Sequence, residues 1–526
     1  MEESPERQRT RPGRNRPASA LPADTARRGS PPPGRGSPAV IGLDVGTSAV
    51  KALLADADGP VRSVRRGYAL DVGPGGRVEL DAEDVWRAAR SAIRALAAVA
   101  VARRLTVVAV CCGGSGDEAV WVDDDGRPVA PVPMALDTRA AADGATLVDV
   151  VGERRFIETT GLPPSGAYPL PRLLWLRRTA PAVADRVARL LAWPEFLALR
   201  LGLEPVAEPT LAARSGAFDV ATGTWAPDLL RGAAIDATFL PPLAPTGAVI
   251  GTLPEDVAAS VGLPDHVRVV AGGFDQAMAT RGAGITRPGV AHLGAGSWEA
   301  LTALTASRPL ELVPRGSSLG PAIAAPGVRS VMTSSPGSAV LSWIGAIGRL
   351  GGDDAVFPGA PGPRALEAAR RAPDEPTGLL VLPDLPGSAG AIAGLRLDVD
   401  AGRLARGMLE GVAFRVADEV DGLRAAGVAI EELRVTGGGT TDTRWIQLRA
   451  DVLGMPVVAV EPPDAGVAAA AALAWAAVVA DRSVDDVLAT LVRLAAPIAP
   501  RLDHHERYVE LRQRRSALAD VLAPGR

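Results

Sequence analysis

The sequence predicts an α/β protein of two large domains, and three observations carry that expectation. A chain of 526 residues exceeds what one hydrophobic core organises. Three expected strands, at 105–110, 267–271 and 433–435, each run into a glycine loop, the place where open α/β sheets bind ligands. Two stretches, IGLDVGTSAVK at the start and VAHLGAGSWEAL after residue 289, both read as strand, small-residue turn, strand, which suggests an internal duplication.

Composition narrows the class of function. A 47% hydrophobic and 22% charged chain with net charge −4 has the make-up of a soluble globular protein and no global attraction to nucleic acid. The two cysteines, Cys111 and Cys112, are adjacent and cannot form an ordinary structural disulfide with each other. They fit a reducing, cytoplasmic location. The Ala-rich run 467–480 is too short to span a bilayer, so no membrane helix is expected. Residues 1–37, rich in Arg, Pro, Ser and Gly, read as a disordered tail.

Along the chain, Val40–Leu43 and Ala49–Leu54 read as a hairpin about Thr47–Ser48. With that two-residue turn, Asp44 faces Lys51, the only lysine in the sequence. A compact ammonium across from a carboxylate contributes about 0.2–1 kcal/mol. Asp81 caps a helix carrying Val85, Trp86, Ala89 and Ile93 on one face. Residues 172–201 and 404–425 look helical, and GITRPG at 284–289 is the best candidate domain boundary.

Several motifs could carry chemistry. In Asp44-Val45-Gly46-Thr47-Ser48 a carboxylate precedes a turn whose N–H groups and hydroxyls suit phosphate oxygens; taken alone, an ordinary hairpin turn reads equally well. Gly294-Ala295-Gly296-Ser297 repeats the design, and two such turns across a cleft could grip a polyphosphate and its metal. Asp275, after a buried strand and a double glycine, could act as general base toward a hydroxyl or simply cap the following helix, Gln276 to Arg281. Gly437-Gly438-Gly439, followed by Asp442, would let a flat base approach the backbone, and the absence of a following lysine rules out a P-loop. Asp117, Glu118, Asp137 and Arg139 are candidates for binding a hydroxyl-rich substrate, with solvent-exposed loop charge as the alternative for each. No clustered His/Cys set supports a zinc site.

In order and spacing these segments resemble the FGGY family of carbohydrate kinases, of the xylulokinase and fuculokinase kind. The blocks that carry the resemblance include IGLDVGTSAVK, YPLPRLLWL, LAARSGAFDVATGTW, VVAGGFDQ, GAGSWE and VTGGGTTDTRWIQLRADVLGMPV. The resemblance implies two actin/hexokinase-like (ribonuclease H-like) domains with an interdomain cleft, at 38–286 and 287–515. It implies Asp275 as catalytic base, and Asp44 with Asp275 near the magnesium of ATP. Gly46, Thr47, Ser48, Lys51, Gly296, Ser297, Gly438, Gly439 and Asp442 fall to the nucleotide; Asp117, Glu118, Asp137, Arg139 and Gln276 fall to a small sugar or polyol. The expected activity is transfer of the γ-phosphoryl group of ATP to a hydroxyl of that acceptor. A nucleotide-binding sensor without transfer is the alternative, and a homodimer is an allowed assembly. The loop GGSGDE differs from the Gln-Met-His loop of xylulokinases, so the resemblance names no acceptor.

Overall fold

The computed structural model describes residues 36–296, 298–337, 340, 361–383 and 390–522. The expected disordered tail therefore lies almost wholly outside the described residues, as does Ser297. Two mixed sheets organise the chain. The first is built from β1 (Ser37–Val45), β2 (Ala49–Asp56), β3 (Gly59–Gly67), β4 (Leu105–Gly114), β5 (Val249–Thr252) and β6 (Arg268–Phe274), in the order β5-β6-β4-β1-β2-β3. The second contains β7 (Gly289–Ala295), β8 (Trp298–Thr305), β9 (Ser318–Pro321), β10 (Arg329–Pro336), β11 (Ile430–Thr436), β12 (Val457–Glu461) and β13 (Arg493–Leu494), in the order β9-β10-β8-β7-β11-β12-β13.

Setting β9 aside, the two sheets repeat one plan. Three antiparallel strands, β1 to β3 or β7, β8 and β10, are extended by two parallel strands and closed by an antiparallel edge. The parallel strands β4, β6 and β12 are nearly continuous apolar runs, as strands covered on both faces are, whereas β11 carries Glu431, Glu432 and Arg434. Helix α1 (Ala82–Ala102), capped by Asp81 through the N–H of Glu83, buries Val85, Trp86, Ala89 and Ile93 against the first sheet.

Between β4 and β5 the reading of 172–201 as helical holds only in part. Pro181 starts a separate turn, Arg189–Leu191 pairs as a strand with Val120–Val122, and Pro194 opens a new helix at Trp193–Arg200. An apolar run of this length does not distinguish helix from buried strand. The other helical reading, 404–425, falls inside α3 (Ala401–Ala425), which follows α2 (Asp275–Gly282) in the chain.

Further helices follow in the second half, among them α4 (Thr443–Leu453) and α5 (Ala465–Val478). Helix α5 crosses to the first sheet, where Val467 to Trp475 share a core with Val40, Leu53, Val108 and Val270. Its alanines suit that position, since a helix apolar on all sides is buried and small side chains permit close approach. A Cβ at Gly42 of β1 would stand 2.4 Å from the Val467 carbonyl oxygen, and one at Gly282 would stand 2.0 Å from that of Ala465. The helix thus bridges the linear division at 286/287. Among the described residues no helix is long and apolar enough to cross a membrane.

Candidate active site

The first hairpin has the register its turn dictates: Val45 pairs with Val50 and Asp44 with Lys51. Gly46 N–H donates to the Ala49 carbonyl at 3.1 Å, leaving Thr47 and Ser48 exposed at the tip. The Tyr68 hydroxyl donates to the Gly46 carbonyl and fixes the turn from behind. Lys51 does not bond to the carboxylate across from it. Its ammonium reaches Asp464, at the start of α5, at 2.7 Å, while its charge still acts on Asp44.

Strand β4 lies beside β1 and delivers Asp117 and Glu118 just beyond its end, and β6 delivers Asp275 beside them. Asp44, Asp117, Glu118 and Asp275 form one acidic cluster. Burial, then the charges of Asp44, Glu118 and Asp117, push the Asp275 carboxyl up to about 8. The cause is the cost of ionising a dry carboxyl beside like charges. Burial also raises Asp44, opposed by Lys51, and raises Glu118, which accepts from the Ser115 hydroxyl and from the Ala135 N–H at 3.0 Å. Asp275 is the first residue of α2 rather than its cap, and its Oδ1 accepts the Gln276 N–H at 2.6 Å. Oδ1 of Asp44 is buried with no partner.

Asp117 is held by a residue that sequence reasoning passed over. Arg214 Nε donates to Asp117 Oδ1 at 2.7 Å, and the guanidinium sits 5.5 Å from the Tyr168 ring centre and 5.2 Å from that of Phe274. Its Nη1 crosses to the Ser318 hydroxyl on β9 at 3.1 Å, tying the two halves together. The buried Arg172, inside the YPLPRLLWL block, donates to the Asp117 and Met134 carbonyls at 2.6 and 2.5 Å. Asp137 and Arg139 stand apart from the cluster's polar contacts. Asp137 accepts from the Val78 N–H and from Arg139, which also pairs with Glu79 and stacks 4.6 Å from the Trp175 ring centre. That network leaves Asp137 little capacity for a ligand.

The second hairpin and the triple-glycine turn meet at the end of β7. Gly437 has φ +88°, and a Cβ there would stand 2.6 Å from the Ala295 carbonyl oxygen, so only glycine fits. A Cβ at Gly438 meets nothing within 4 Å, which leaves that face open to a ligand, whereas Gly439 rests on Ala295 and Trp445. Asp442 caps α4 through the Arg444 N–H at 3.0 Å and pairs with Arg370 at 2.8 Å. Within β7, His292 is buried between Thr280 and Thr436, and burial lowers its pKa to about 3. Gly46 and Gly296 thus occupy matching tips of two hairpins related by the internal repeat.

Comparison with known proteins gives this geometry a family. Residues 39–282 match the FGGY family of carbohydrate kinases, N-terminal domain, and residues 296–478 match its C-terminal domain. The chain is 29% identical over 435 residues to a xylulose kinase of Klebsiella pneumoniae, covering 79% of this chain and 85% of the relative. It is 28% identical over 449 residues to a glycerol kinase of Koribacter versatilis, covering 80% and 86%. The crystal structure of a xylulose kinase from Rhodospirillum rubrum superposes with a TM-score of 0.81 at 28% identity, over 92% of this chain and 99% of that one. With two family domains spanning most of its length, the chain belongs to the FGGY family of carbohydrate kinases, and it is a carbohydrate kinase.

Proposed function

We propose that this kinase transfers the γ-phosphoryl group of ATP to a hydroxyl of a small sugar, ketose or polyol held against Asp275. The observation that carries the reading is the buried Asp275 carboxyl at the convergence of β1, β4 and β6, beside Asp44, Asp117 and Glu118. In its ionised form Asp275 takes the proton of the acceptor hydroxyl as that oxygen bonds to phosphorus and the bond to the ADP oxygen breaks. Thr47, Ser48 and the backbone of Gly46 would bind phosphate oxygens from one hairpin and Gly296 from the other, with Ser297, outside the described residues, assigned there on its motif alone. Gly438 and Gly439 leave room for the adenosine, with Asp442 fixing the start of α4 beside it. Asp117 and Glu118 bind acceptor hydroxyls, and Gln276 extends the same wall.

The residues present fit magnesium. Asp44 offers a buried, unpartnered oxygen, and among the described residues no cluster of three or more His, Cys, Asp or Glu side chains makes an all-protein cage. That donor set suits a cation held by one or two carboxylates, water and phosphate oxygens. Asp44 and Asp275 would hold it. The bound cation supplies charge that neutralises phosphate oxygens and favours ionised carboxylates nearby. Lys51 steadies Asp44 while anchoring Asp464.

We divide the labour between residues 38–286, for acceptor and phosphates, and 287–515, for the nucleotide. We place the enzyme in the cytoplasm, where ATP is supplied and the buried, free Cys111 and Cys112 stay reduced. The test is coupled ADP release against pentuloses, hexuloses, deoxy-ketoses and polyols, with and without magnesium. Turnover of at least one acceptor, abolished by chelation, is expected. ATP binding without phosphorylation of any acceptor would refute the reading and favour a sensor of the same fold.

A further inference from the structure

Helix α2, which begins with Asp275, belongs to the first half of the chain and packs against the second sheet. The seam between them is polar. His292 of β7 pairs with Thr302 of β8 and with Arg434 of β11, so these three side chains share the face of the sheet that receives α2. Arg434 donates to the Ala283 and Gly284 carbonyls at 2.8 and 3.2 Å, just past the end of the helix. His292 reaches its beginning. Among the described residues the Gln276 side-chain oxygen and the Thr302 hydroxyl have no hydrogen-bond partner, so the link to the first turn of α2 runs through the imidazole.

The direction of each hydrogen bond follows from the chemistry of the groups. Thr280 donates its one hydroxyl proton to the Gln276 carbonyl at 2.7 Å, so toward His292 Nδ1, 3.1 Å away, its oxygen can only accept. Nδ1 therefore carries the proton of the neutral ring. Nε2 is left as an acceptor and takes the proton of the Thr436 hydroxyl at 2.8 Å. One directed chain results, from Thr436 to His292, from His292 to Thr280 and from Thr280 to Gln276. Its ends are informative. Thr436 is the last residue of β11, directly before the Gly437–Gly439 turn, and Gln276 is the residue after Asp275.

We infer that His292 is a positioning residue: through Thr280 and Thr436 it holds the helix that begins with Asp275 in register with the turn assigned to adenosine, and so aligns base and nucleotide across the two halves. The inference rests on the assignments of Asp275 and of Gly437–Gly439 made above. His292 is fully buried and acts through its two neighbours. Apolar contacts in this seam would be non-directional, whereas hydrogen bonds fix distance and angle, and a satisfied buried network selects one arrangement of the elements it joins. Phosphoryl transfer is sensitive to that arrangement, because the protein contributes mainly placement and electrostatics.

The test uses the full-length enzyme with ATP and whichever pentulose, hexulose, deoxy-ketose or polyol it phosphorylates fastest. Thr280→Val and Thr436→Val keep the side-chain shape and remove the hydroxyl, whereas Thr280→Ser and Thr436→Ser keep the hydroxyl and lose a methyl. Each Val variant is expected to lower kcat about tenfold, the effect of one lost hydrogen bond, with the KM for ATP and for the acceptor within about twofold of wild type. Each Ser variant should keep kcat within about twofold, the reverse of what a packing role gives. Because both hydroxyls belong to one chain, the double Val variant should also fall about tenfold, where independent sites would give about a hundredfold. His292→Leu should match the double variant, and the threonine variants serve if it does not fold. Val variants that turn over like wild type, Ser variants that lose as much as Val, or losses that multiply in the double variant overturn the inference and leave the kinase reading standing. Full activity of Asp275→Asn would instead remove the base assignment, and this inference with it.

Discussion

Replacing Asp275 by asparagine should abolish turnover and at the same time make the nucleotide-free protein more stable. The folded-state carboxyl titrates at about 8 against 3.8 for an ordinary aspartate, because burial and three neighbouring carboxylates oppose its charge. A raised acid pKa means that the stability it allows is complete below 3.8 and is lost as pH rises toward about 8. At 1.36 kcal/mol per unit, ionisable Asp275 costs the fold on the order of 5 kcal/mol at pH 8. Asparagine removes the titration, so most of that cost disappears. Thermal melts of the nucleotide-free variant should lie about 5–10 °C above wild type at pH 8, with the gap closing toward pH 4. Coupled ADP release should fall by about 10²–10⁴ with loss of the base. An unchanged rate would remove Asp275 from the chemistry; a stability gain that does not vary with pH would show that its carboxyl is not the strained group.

Three further outcomes follow from the same geometry. Lys51→Met should shift the acid limb of the pH–rate profile to higher pH, because the cation that holds Asp44 down is gone; its effect on unfolding free energy should stay below about 1 kcal/mol, since the Asp464 pair is partly solvated. Gly42→Ala should destabilise by about 1–3 kcal/mol or more in denaturant titrations, because the new methyl meets backbone of α5 at 2.4 Å and neither side can yield cheaply. Arg449→Met should cost about 3–5 kcal/mol by the same measurement, because it strands the buried Glu299 carboxylate that Arg449 pairs with beneath Trp445.

Local patterns in the sequence were enough to reach the first hairpin down to its register, since a two-residue turn between alternating strands leaves one pairing. The three strand-to-glycine transitions likewise foretold which carboxylates and turns converge, because parallel strands present their C-terminal ends on one edge of a sheet. What stayed hidden depends on contacts between distant residues. Asp464 lies 413 positions from Lys51, and only the path of α5 brings them together. Arg214 lies in LAARSGAFDVATGTW, a block that carries the family resemblance without singling out one side chain, and Thr302 and Ser318 look like ordinary strand residues until the second sheet is set opposite the first. Asp137 and Arg139 show the reverse: the charged Asp-Thr-Arg segment reads as a ligand site, and the fold also gives it partners of its own, Val78 and Glu79.

The passage of α5 back onto the first sheet sets an order for synthesis. Strands β1, β4 and β6 are complete once residue 274 has left the ribosome, yet Val467 to Trp475, which cover one of their faces, emerge nearly two hundred residues later. Until then the nascent first half presents Val40, Val108 and Val270 to solvent, an apolar surface that invites chaperones or premature association. Truncation before α5 should therefore yield an insoluble fragment rather than a free-standing acceptor domain.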